Sequence, residues 1–451
     1  MQHIMNTTFS RTLLATSILL TSTVSVAGGF QVNEHSATGL GRAFAGEAVI
    51  ADNASVLSRN AAAMMMFDKD AFSMGMTMVK PDVSIKNSTY HGLNGNIDIS
   101  NSLFHPFPEI SGTQTPVYID DIDGVAPTAY VPNFYYIHPI DEKFAVGVAA
   151  YSNFGTGTEF ESDYSAPIFG GKTSVQSMNL GLSLAYRVNE HFSLGGGLDI
   201  IYGVGDLYRD INADMHGNID ITIPLKPGIH ESGDIKGQIN ALDVHATGVG
   251  IGGNIGMVYE VNDGNRFGLS YKYSPEIEAK GDVKYLAASQ QSDKIYLPLP
   301  DIAEFSGFHM ITNKTAIHYS IQWIGWSAFD TIDTEYDTIK EYHWKDSYHY
   351  SIGATHYLNN KWILRTGYMY DQTPVDELTS ISIPDSDRQW FSAGFTYNWS
   401  SNTTLDFGFT YLIGEDVQAH EYLEEGVEAI SISATTHADA ILAAIQLSHS
   451  F

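Results

Sequence analysis

Apolar and polar residues alternate along several segments of the chain. In residues 246–275, apolar side chains recur at alternate positions on both sides of a polar turn at 262–265. The apolar positions are Val249, Ile251, Ile255, Met257, Tyr259 and Val261 before the turn, and Phe267, Leu269, Tyr271 and Tyr273 after it. Because successive side chains of a strand point to opposite faces, this pattern predicts a β-hairpin with one apolar face.

The same hairpin pattern recurs in residues 178–200, 348–368 and 391–411. Long polar stretches separate the hairpins, at 86–124, 206–244 and 415–433, and we interpret them as loops. Short turns that alternate with long loops are typical of the periplasmic and extracellular ends of an outer-membrane barrel. A soluble β-sandwich would show a similar alternation, so the period alone does not separate the two folds.

Three further features favour a transmembrane antiparallel β-barrel. Aromatic residues lie near predicted strand ends, where they would form girdles at the membrane interfaces; they are Tyr130, Tyr135, Tyr136, Trp362, Trp390 and Trp399. The second face of the strands is rich in Gly, Ser, Asn and Thr, which suits a lumen better than a packed core. The chain also ends in an alternating segment whose last residue is Phe451.

The first 27 residues have the pattern of a secretory signal peptide. Arg11 precedes an apolar run at 13–20, and Ser25, Val26 and Ala27 place a cleavage site before Gly28. A membrane anchor is the alternative, but the apolar run is short and diluted by Ser and Thr. Past this leader no run of about 18 apolar residues occurs, so a membrane-embedded form of the protein would have to be a barrel.

The amino-acid composition of the chain excludes several classes of function. The chain carries 23 Lys and Arg against 52 Asp and Glu, a net charge of −29, which argues against binding to nucleic acid. It has no Cys, which excludes disulfides, thiolate metal sites and a cysteine nucleophile. Charged residues make up 17% and aromatic residues 12%, a balance that fits a wall between lipid and a narrow lumen.

Several motifs resemble the FadL-type long-chain fatty-acid transporters of the outer membrane, and they keep the order found in that family. Near the N-terminus they are residues 29–34 (GFQVNE), 39–43 (GLGRA) and 58–62 (SRNAA). Further along the chain they are residues 126–133 (APTAYVPN), 152–155 (SNFG), 365–367 (RTG) and 380–388 (SISIPDSDR). These motifs extend over nearly the whole chain after the leader.

The resemblance implies a barrel of about 14 strands whose N-terminal segment folds inward as a hatch that plugs the lumen. The corresponding division is a signal peptide at 1–27, a hatch at 28–69 and a barrel at 70–451. The hatch residues of interest are Arg42, Asn60, Ala61 and Ala62, and a disordered arm is the alternative for this segment. The family usually has Asn-Pro-Ala where this chain has Asn-Ala-Ala, so the φ angle at position 61 is not fixed by a proline.

The resemblance also implies binding and exit sites. A kink in the third strand, at Asn153, Phe154 and Gly155, would open the barrel wall sideways toward the bilayer; an ordinary bulge is the alternative. Phe30, Arg209 and Lys340 are the implied ligand-binding residues, with the two cations facing the carboxylate head. Alternatively, these cations are rim charges paired with the neighbouring Asp210 and Glu341.

The function implied is uptake of long-chain fatty acids or similar hydrophobic molecules across the outer membrane. The first alternative is import of aromatic hydrocarbons or other uncharged apolar molecules on the same fold; a lipid hydrolase and a general porin are further alternatives. We expect no enzymatic activity, no cofactor and no metal. The expected partners are the hydrophobic ligand, outer-membrane lipids, lipopolysaccharide and the barrel-assembly machinery, with the protein a monomer that binds no nucleic acid.

Overall fold

The computed structural model describes residues 29–102, 105–221, 229–286, 290–376, 378–424 and 427–451. The predicted leader at 1–27 and the first residue of the predicted hatch, Gly28, lie outside these ranges. Among the described residues, no helix is long and apolar enough to cross a bilayer.

The described chain consists mainly of strands. They are β1 (Ala71–His91), β2 (Leu93–Ser102), β3 (His105–Gln114), β4 (Val117–Ile119), β5 (Ile122–Asp123), β6 (Ala129–Pro139), β7 (Phe144–Tyr151), β8 (Gly155–Glu159), β9 (Lys172–Asn189), β10 (Phe192–Ile221), β11 (Ile229–Asn262), β12 (Asn265–Tyr273), β13 (Glu276–Tyr285), β14 (Ser292–Pro298), β15 (Ile302–Thr312), β16 (Thr315–Ile324), β17 (Thr331–Thr334), β18 (Thr338–Glu341), β19 (Ser347–Tyr357), β20 (Trp362–Asp371), β21 (Arg388–Asn398), β22 (Thr403–Gly414), β23 (Val417–Glu424) and β24 (Val427–Ser450). Four short helical pieces are α1 (Ala37–Leu40) and the 3-10 turns η1 (Ala54–Ser58), η2 (Ala61–Met66) and η3 (Trp326–Ala328).

Fourteen of the described strands form a closed antiparallel barrel, which confirms the predicted fold class. In order around the ring they are β1, β6, β7, β9, β10, β11, β12, β15, β16, β19, β20, β21, β22 and β24. The last strand pairs with the first, from Ala71 opposite Ser450 onward. Closure gives every strand of the ring a neighbouring strand on both sides, which is what a bilayer interior demands of strands.

The two faces of the wall follow the alternation in the sequence. On β9, Leu180, Leu182 and Leu184 are 53%, 64% and 50% exposed, whereas Ser183 is buried. The apolar face therefore points outward, and small residues such as Gly181 and Ser183 lie on the inner face.

The predicted aromatic girdle is only partly correct. Trp362 and Trp399 are exposed on the outside, but Tyr135 and Trp390 are fully buried and point inward. The Tyr135 hydroxyl donates to the backbone oxygen of His35, 3.0 Å away, and the indole N–H of Trp390 donates to Asp371. Tyr135 and Trp390 both lie on the face of their strand that points into the barrel. Each donates its polar hydrogen to an acceptor inside the barrel.

The prediction of loops at the long polar stretches is also wrong in part. Strands β10 and β11 are paired from Phe192 opposite Tyr259 to Ile221 opposite Ile229. The described residues of 206–244 therefore lie in β-structure. Polar side chains further along this pair of strands, such as Asp214, Asp234 and Lys236, are exposed while the backbone ladder continues. Arg209 therefore lies within β10, beside a register shift at Arg209/Asp210, and not in the loop that the sequence predicts.

Residues 29–66 lie inside the ring of strands. Helix α1 packs against β21, β22 and β24, and η2 packs against β9, β10 and β11. Glycines in the wall permit this approach, since a Cβ at Gly195 would lie 2.3 Å from the Ala62 nitrogen, and one at Gly256 would lie 2.0 Å from the Asn60 side-chain oxygen. Gly on the inner face is thus required by close packing at these two positions.

Candidate ligand site inside the barrel

Phe30 lies in a cluster of aromatic rings in the barrel interior. Its ring centroid is 4.6 Å from Trp326, 5.0 Å from Phe329, 5.8 Å from Trp344 and 6.0 Å from Phe154. We call these five residues the aromatic cluster. Aliphatic side chains from the strands extend it into a buried apolar core; they include Ile201, Leu207, Leu242, Val244, Ile277, Ile295 and Ile332.

The third strand of the barrel is interrupted. β7 ends at Tyr151, and β8 begins at Gly155 and pairs with β9. β6 pairs with β7 through residues 134–139. Over the described residues, positions 129–133 of β6 pair with β1 on one edge and have no strand partner on the other. The ladder between the second and third strands of the barrel is therefore broken beside Asn153 and Phe154.

The interrupted segment is hydrogen-bonded to the start of the interior segment. The Val32 N–H donates to the Asn153 oxygen at 2.7 Å, and the Gly155 N–H donates to the Phe30 oxygen at 2.8 Å. An isolated antiparallel bridge joins Gln31 to Phe154. Residues 30–32 thus continue the backbone pairing at the place where the third strand leaves the wall.

Lys272, which the sequence analysis did not single out, connects three parts of the interior. Its buried ammonium donates to the Ser58 oxygen at 2.9 Å, the Tyr151 hydroxyl at 2.9 Å and the Asn153 side-chain oxygen at 3.3 Å. The available signal was its place between Tyr271 and Tyr273, which puts a charge on the inner face of an apolar strand.

The predicted hatch residues anchor the interior segment to itself and to the wall. Asn60 caps η2 by accepting from the Ala62 N–H, and its amide donates to the oxygens of Ala48 and Met257 at 2.8 and 3.0 Å. Ala61 and Ala62 are buried in the first turn of η2. Asn60 therefore orders this turn without the proline that the family usually places at position 61.

Arg42 is the centre of a buried ion-pair network. It contacts Glu47 at 2.5 Å and Asp52 at 2.9 Å. Asp52 also binds Arg365 of the barrel wall at 3.1 Å, and Arg59 lies 3.5 Å from Glu304 of the wall. Each buried charge has an opposite partner, which offsets the desolvation of these groups inside the barrel.

Arg209 and Lys340 both lie near Tyr342 of the apolar core, and neither pairs with the neighbour in sequence that the rim-charge alternative requires. Arg209 is buried, and its guanidinium donates to the oxygen of Lys172 at 2.6 Å and to the Thr173 hydroxyl at 2.6 Å. Lys340 pairs with Glu421 at 2.9 Å, while Glu341 lies 3.3 Å from His343.

A third charged group, the carboxylate of Glu421, lies near the two cations. Burial disfavours the charged form of Lys340, but Glu421 and Tyr342 together outweigh this effect, so the pKa of Lys340 is raised. Glu421 also acts electrostatically on Arg209, and the Lys340 ammonium lies 5.3 Å from the centre of the Tyr342 ring. No sequence motif points to Glu421, because it lies in a polar stretch far along the chain.

The segment 380–388 connects this polar group to the rest of the interior. Ile381 packs into one apolar cluster, with Tyr90, Phe160 and Tyr164 among its members, and Ile383 packs into the core around Phe30. The Thr158 hydroxyl of β8 donates to the Ser382 oxygen at 2.7 Å, and the Gly29 N–H donates to Asp385 at 3.0 Å. Asp385 also forms an ion pair with Arg388.

Comparison with known proteins places the chain in a family. Residues 18–451 match the family described as outer membrane protein transport protein (OMPP1/FadL/TodX). A long-chain fatty acid transport protein of Escherichia coli O6:H1 is 35% identical, over 94% of this chain and 95% of that protein.

Two solved structures have the same fold. A Pseudomonas aeruginosa FadL homologue superimposes with a TM-score of 0.75 at 20% identity, covering 94% of this chain and 100% of the other. The toluene transporter TodX of P. putida gives a TM-score of 0.60 at 15% identity, covering 95% of this chain and 99% of the other. The chain is therefore an outer-membrane β-barrel that belongs to the OMPP1/FadL/TodX transport family.

Proposed function

We propose that this protein takes up long-chain fatty acids or similar hydrophobic molecules across the outer membrane. The observation that carries the proposal is the buried apolar core inside a closed barrel, with Arg209 and Lys340 near its member Tyr342. The relative from Escherichia coli supports the fatty-acid class of ligand, because it is named a long-chain fatty acid transport protein.

The energetics favour an apolar site over a watery pore. Burial stabilises each methylene by about 0.8 kcal/mol, so a tail of about fifteen methylenes gains about 12 kcal/mol in an apolar site. The core around Phe30 and the cluster around Tyr164 supply such surfaces on the two sides of the segment 380–388. In this proposal the carboxylate head pairs with the cations while the tail occupies the apolar core.

The proposed exit is lateral. The wall is interrupted at Asn153, Phe154 and Gly155, and Phe30 packs against Phe154 from inside. Movement of residues 29–66, the proposed hatch, would withdraw Phe30 from the interruption and leave an apolar route into the bilayer. A lateral route keeps the tail out of the periplasmic water, which the energy of tail burial favours.

The aromatic-hydrocarbon alternative also has an observation in its favour. Lys340 is already paired with Glu421, and five aromatic rings surround the centre of the site. A small uncharged aromatic ligand would need no cation and would contact these rings through stacked or edge-on geometry.

Uptake of radiolabelled oleate and radiolabelled toluene by a host without fatty-acid and toluene transporters of its own tests the proposal. We expect oleate uptake to exceed that of cells carrying an empty vector, and to fall when Arg209 and Lys340 are both changed to Ala. Heat-modifiable mobility of the barrel on gels verifies folding in each strain. Folded protein that accumulates toluene but not oleate would move the proposal to the alternative ligand class.

The remaining parts of the proposal concern the surroundings of the barrel. We propose that the chain acts without catalysis, as a monomer. The exposed outer rows, such as Leu180, Leu182 and Leu184, would contact outer-membrane lipids and lipopolysaccharide. The terminal strand β24 and Phe451 would be recognised by the barrel-assembly machinery.

A further inference from the structure

A carboxylate of the protein itself is paired with one of the two cations of the candidate site. One oxygen of Glu421 lies 2.9 Å from the Lys340 ammonium and accepts from the Ser380 hydroxyl at 3.1 Å. Its other oxygen accepts from the Ile381 N–H at 2.5 Å. These are the contacts that a ligand carboxylate would make if it entered the same place.

Glu421 reduces the positive charge of the site without cancelling it. Arg209 and Lys340 contribute +2 and Glu421 contributes −1, so the three groups together carry +1. Glu421 is 7% exposed and Arg209 is 8% exposed, so solvent screens them little, whereas the Lys340 side chain is 35% exposed. Lys340 is thus the more accessible of the two cations, and Glu421 is its partner in this structure.

We propose that Glu421 is a resident carboxylate that holds the head-group position on Lys340, so that an anionic ligand must displace it while an uncharged ligand need not. Glu421 therefore sets the selectivity of the site between carboxylates and neutral molecules with the same tail. This inference rests on the proposed function, because it presumes that a long-chain ligand enters this site.

The position of Glu421 supports a role in selectivity as well as in folding. It lies on β23, which pairs with β24 above the closed ring, and it meets Lys340 of β18 across the interior, 81 residues away along the chain. A Gln at this position could keep both contacts, because its oxygen can accept from the Ile381 N–H while its NH2 donates to the Ser380 hydroxyl, which can also act as an acceptor. The negative charge of Glu421 favours the charged forms of Lys340 and Arg209, and it repels any anion that competes for them.

Binding to the purified full-length barrel in detergent tests the inference. Equilibrium dialysis would compare radiolabelled oleate with oleyl alcohol, which has the same tail and no charge. We expect E421Q to bind oleate about tenfold more tightly, because Lys340 is no longer occupied in most molecules, and to bind oleyl alcohol within twofold of the unmodified protein. The matched control is E341Q, which removes an exposed carboxylate next to Lys340 in sequence and should leave both affinities unchanged.

A double-substitution cycle adds a second readout. In K340Q/E421Q the gain in oleate affinity should disappear, because the cation that Glu421 neutralises is gone. If E421Q does not fold, E421D keeps the charge but withdraws it from Lys340 by one methylene and should show a smaller gain for oleate alone.

The results separate this inference from the function on which it rests. An unchanged oleate affinity in folded E421Q, or a parallel change for oleate and oleyl alcohol, would overturn the role of Glu421 while leaving fatty-acid binding intact. If the unmodified barrel binds neither oleate nor oleyl alcohol, the proposed function fails, and the inference fails with it.

Discussion

At the scale of single residues, buried charges link the interior segment to the wall. Lys272 is one of them, and its ammonium contacts the interior segment at Ser58, the third strand at Tyr151 and the interruption at Asn153. A charged donor to three acceptors stabilises their relative positions more than a neutral one would. Lys272 therefore couples the position of residues 29–66 to the shape of the interrupted strand.

Replacing Lys272 with Met tests this coupling. The change keeps the apolar stem but removes three hydrogen bonds from a charged donor, each contributing about 1.5–3 kcal/mol, and it leaves buried acceptors without that partner. We expect faster amide hydrogen exchange at Val32 and Gly155, measured in the folded barrel. Lys361→Met, at an exposed turn between β19 and β20, is the control; protection that stays unchanged in Lys272→Met would contradict the coupling.

At the scale of elements, the start of the interior segment substitutes for part of a strand. Residues 30–32 pair with residues 153–155 where β7 and β8 are separated. β8 is held in turn by the segment 380–388, through the Thr158 hydroxyl and the Ser382 oxygen. An opening beside Phe154 thus requires the backbone pairing of residues 30–32 to break, which makes these residues the moving part in the proposed transport.

A cross-link between the paired elements tests that movement. Gln31 and Phe154 form an antiparallel bridge, whose usual Cα separation of about 4.5–5.5 Å matches the spacing of a disulfide. The chain has no native Cys, so Gln31→Cys with Phe154→Cys would form a defined bond. We expect oxidised cells to lose most oleate uptake and to regain it after reduction, with Phe154→Cys alone as the control for the lost ring; uptake that persists in the oxidised pair would rule out this movement.

At the scale of the whole molecule, net charge opposes the proposed ligand. The chain carries −29, and an acidic barrel repels a fatty carboxylate before it reaches Arg209 or Lys340. Capture must then rely on burial of the apolar tail, which is independent of charge, and on cations close to the site. The same charge gives no advantage or penalty to an uncharged ligand.

The ionic strength of the medium should therefore change the rate of capture in a particular direction. Between 0.01 and 0.15 M salt the screening length falls from about 30 Å to about 8 Å, which weakens the repulsion. We expect oleate, kept below micelle-forming concentrations, to associate faster at the higher salt, as measured by stopped-flow quenching of tryptophan fluorescence. Oleyl alcohol should show no such change, and a slower association of oleate at high salt would indicate that local cations dominate instead.

The alternation of apolar and polar residues was sufficient to predict the strands of the barrel wall, but not the residues that meet in its interior. The alternation around Leu180 and Leu182 predicted both the strands and their outward faces, because each strand must meet lipid on one side regardless of its neighbours. The sequence predicts Tyr135 and Trp390 at the membrane interface, because they are aromatic and lie near predicted strand ends. In the structure they point inward. Which face a residue occupies depends on strand register, and a shift of one residue reverses it.

The sequence by itself determined an antiparallel barrel with an apolar outer face. The number of about fourteen strands and the importance of Phe30, Asn60 and Phe154 were implied by the resemblance of its motifs to a known family. The tertiary structure alone decided the partners across the lumen, such as Lys340 with Glu421 and Lys272 with Asn153. The physical reason is that alternation is a local response of each strand to lipid and lumen. Contacts across the interior join residues far apart in the chain, and only barrel closure and the packing of residues 29–66 bring them together.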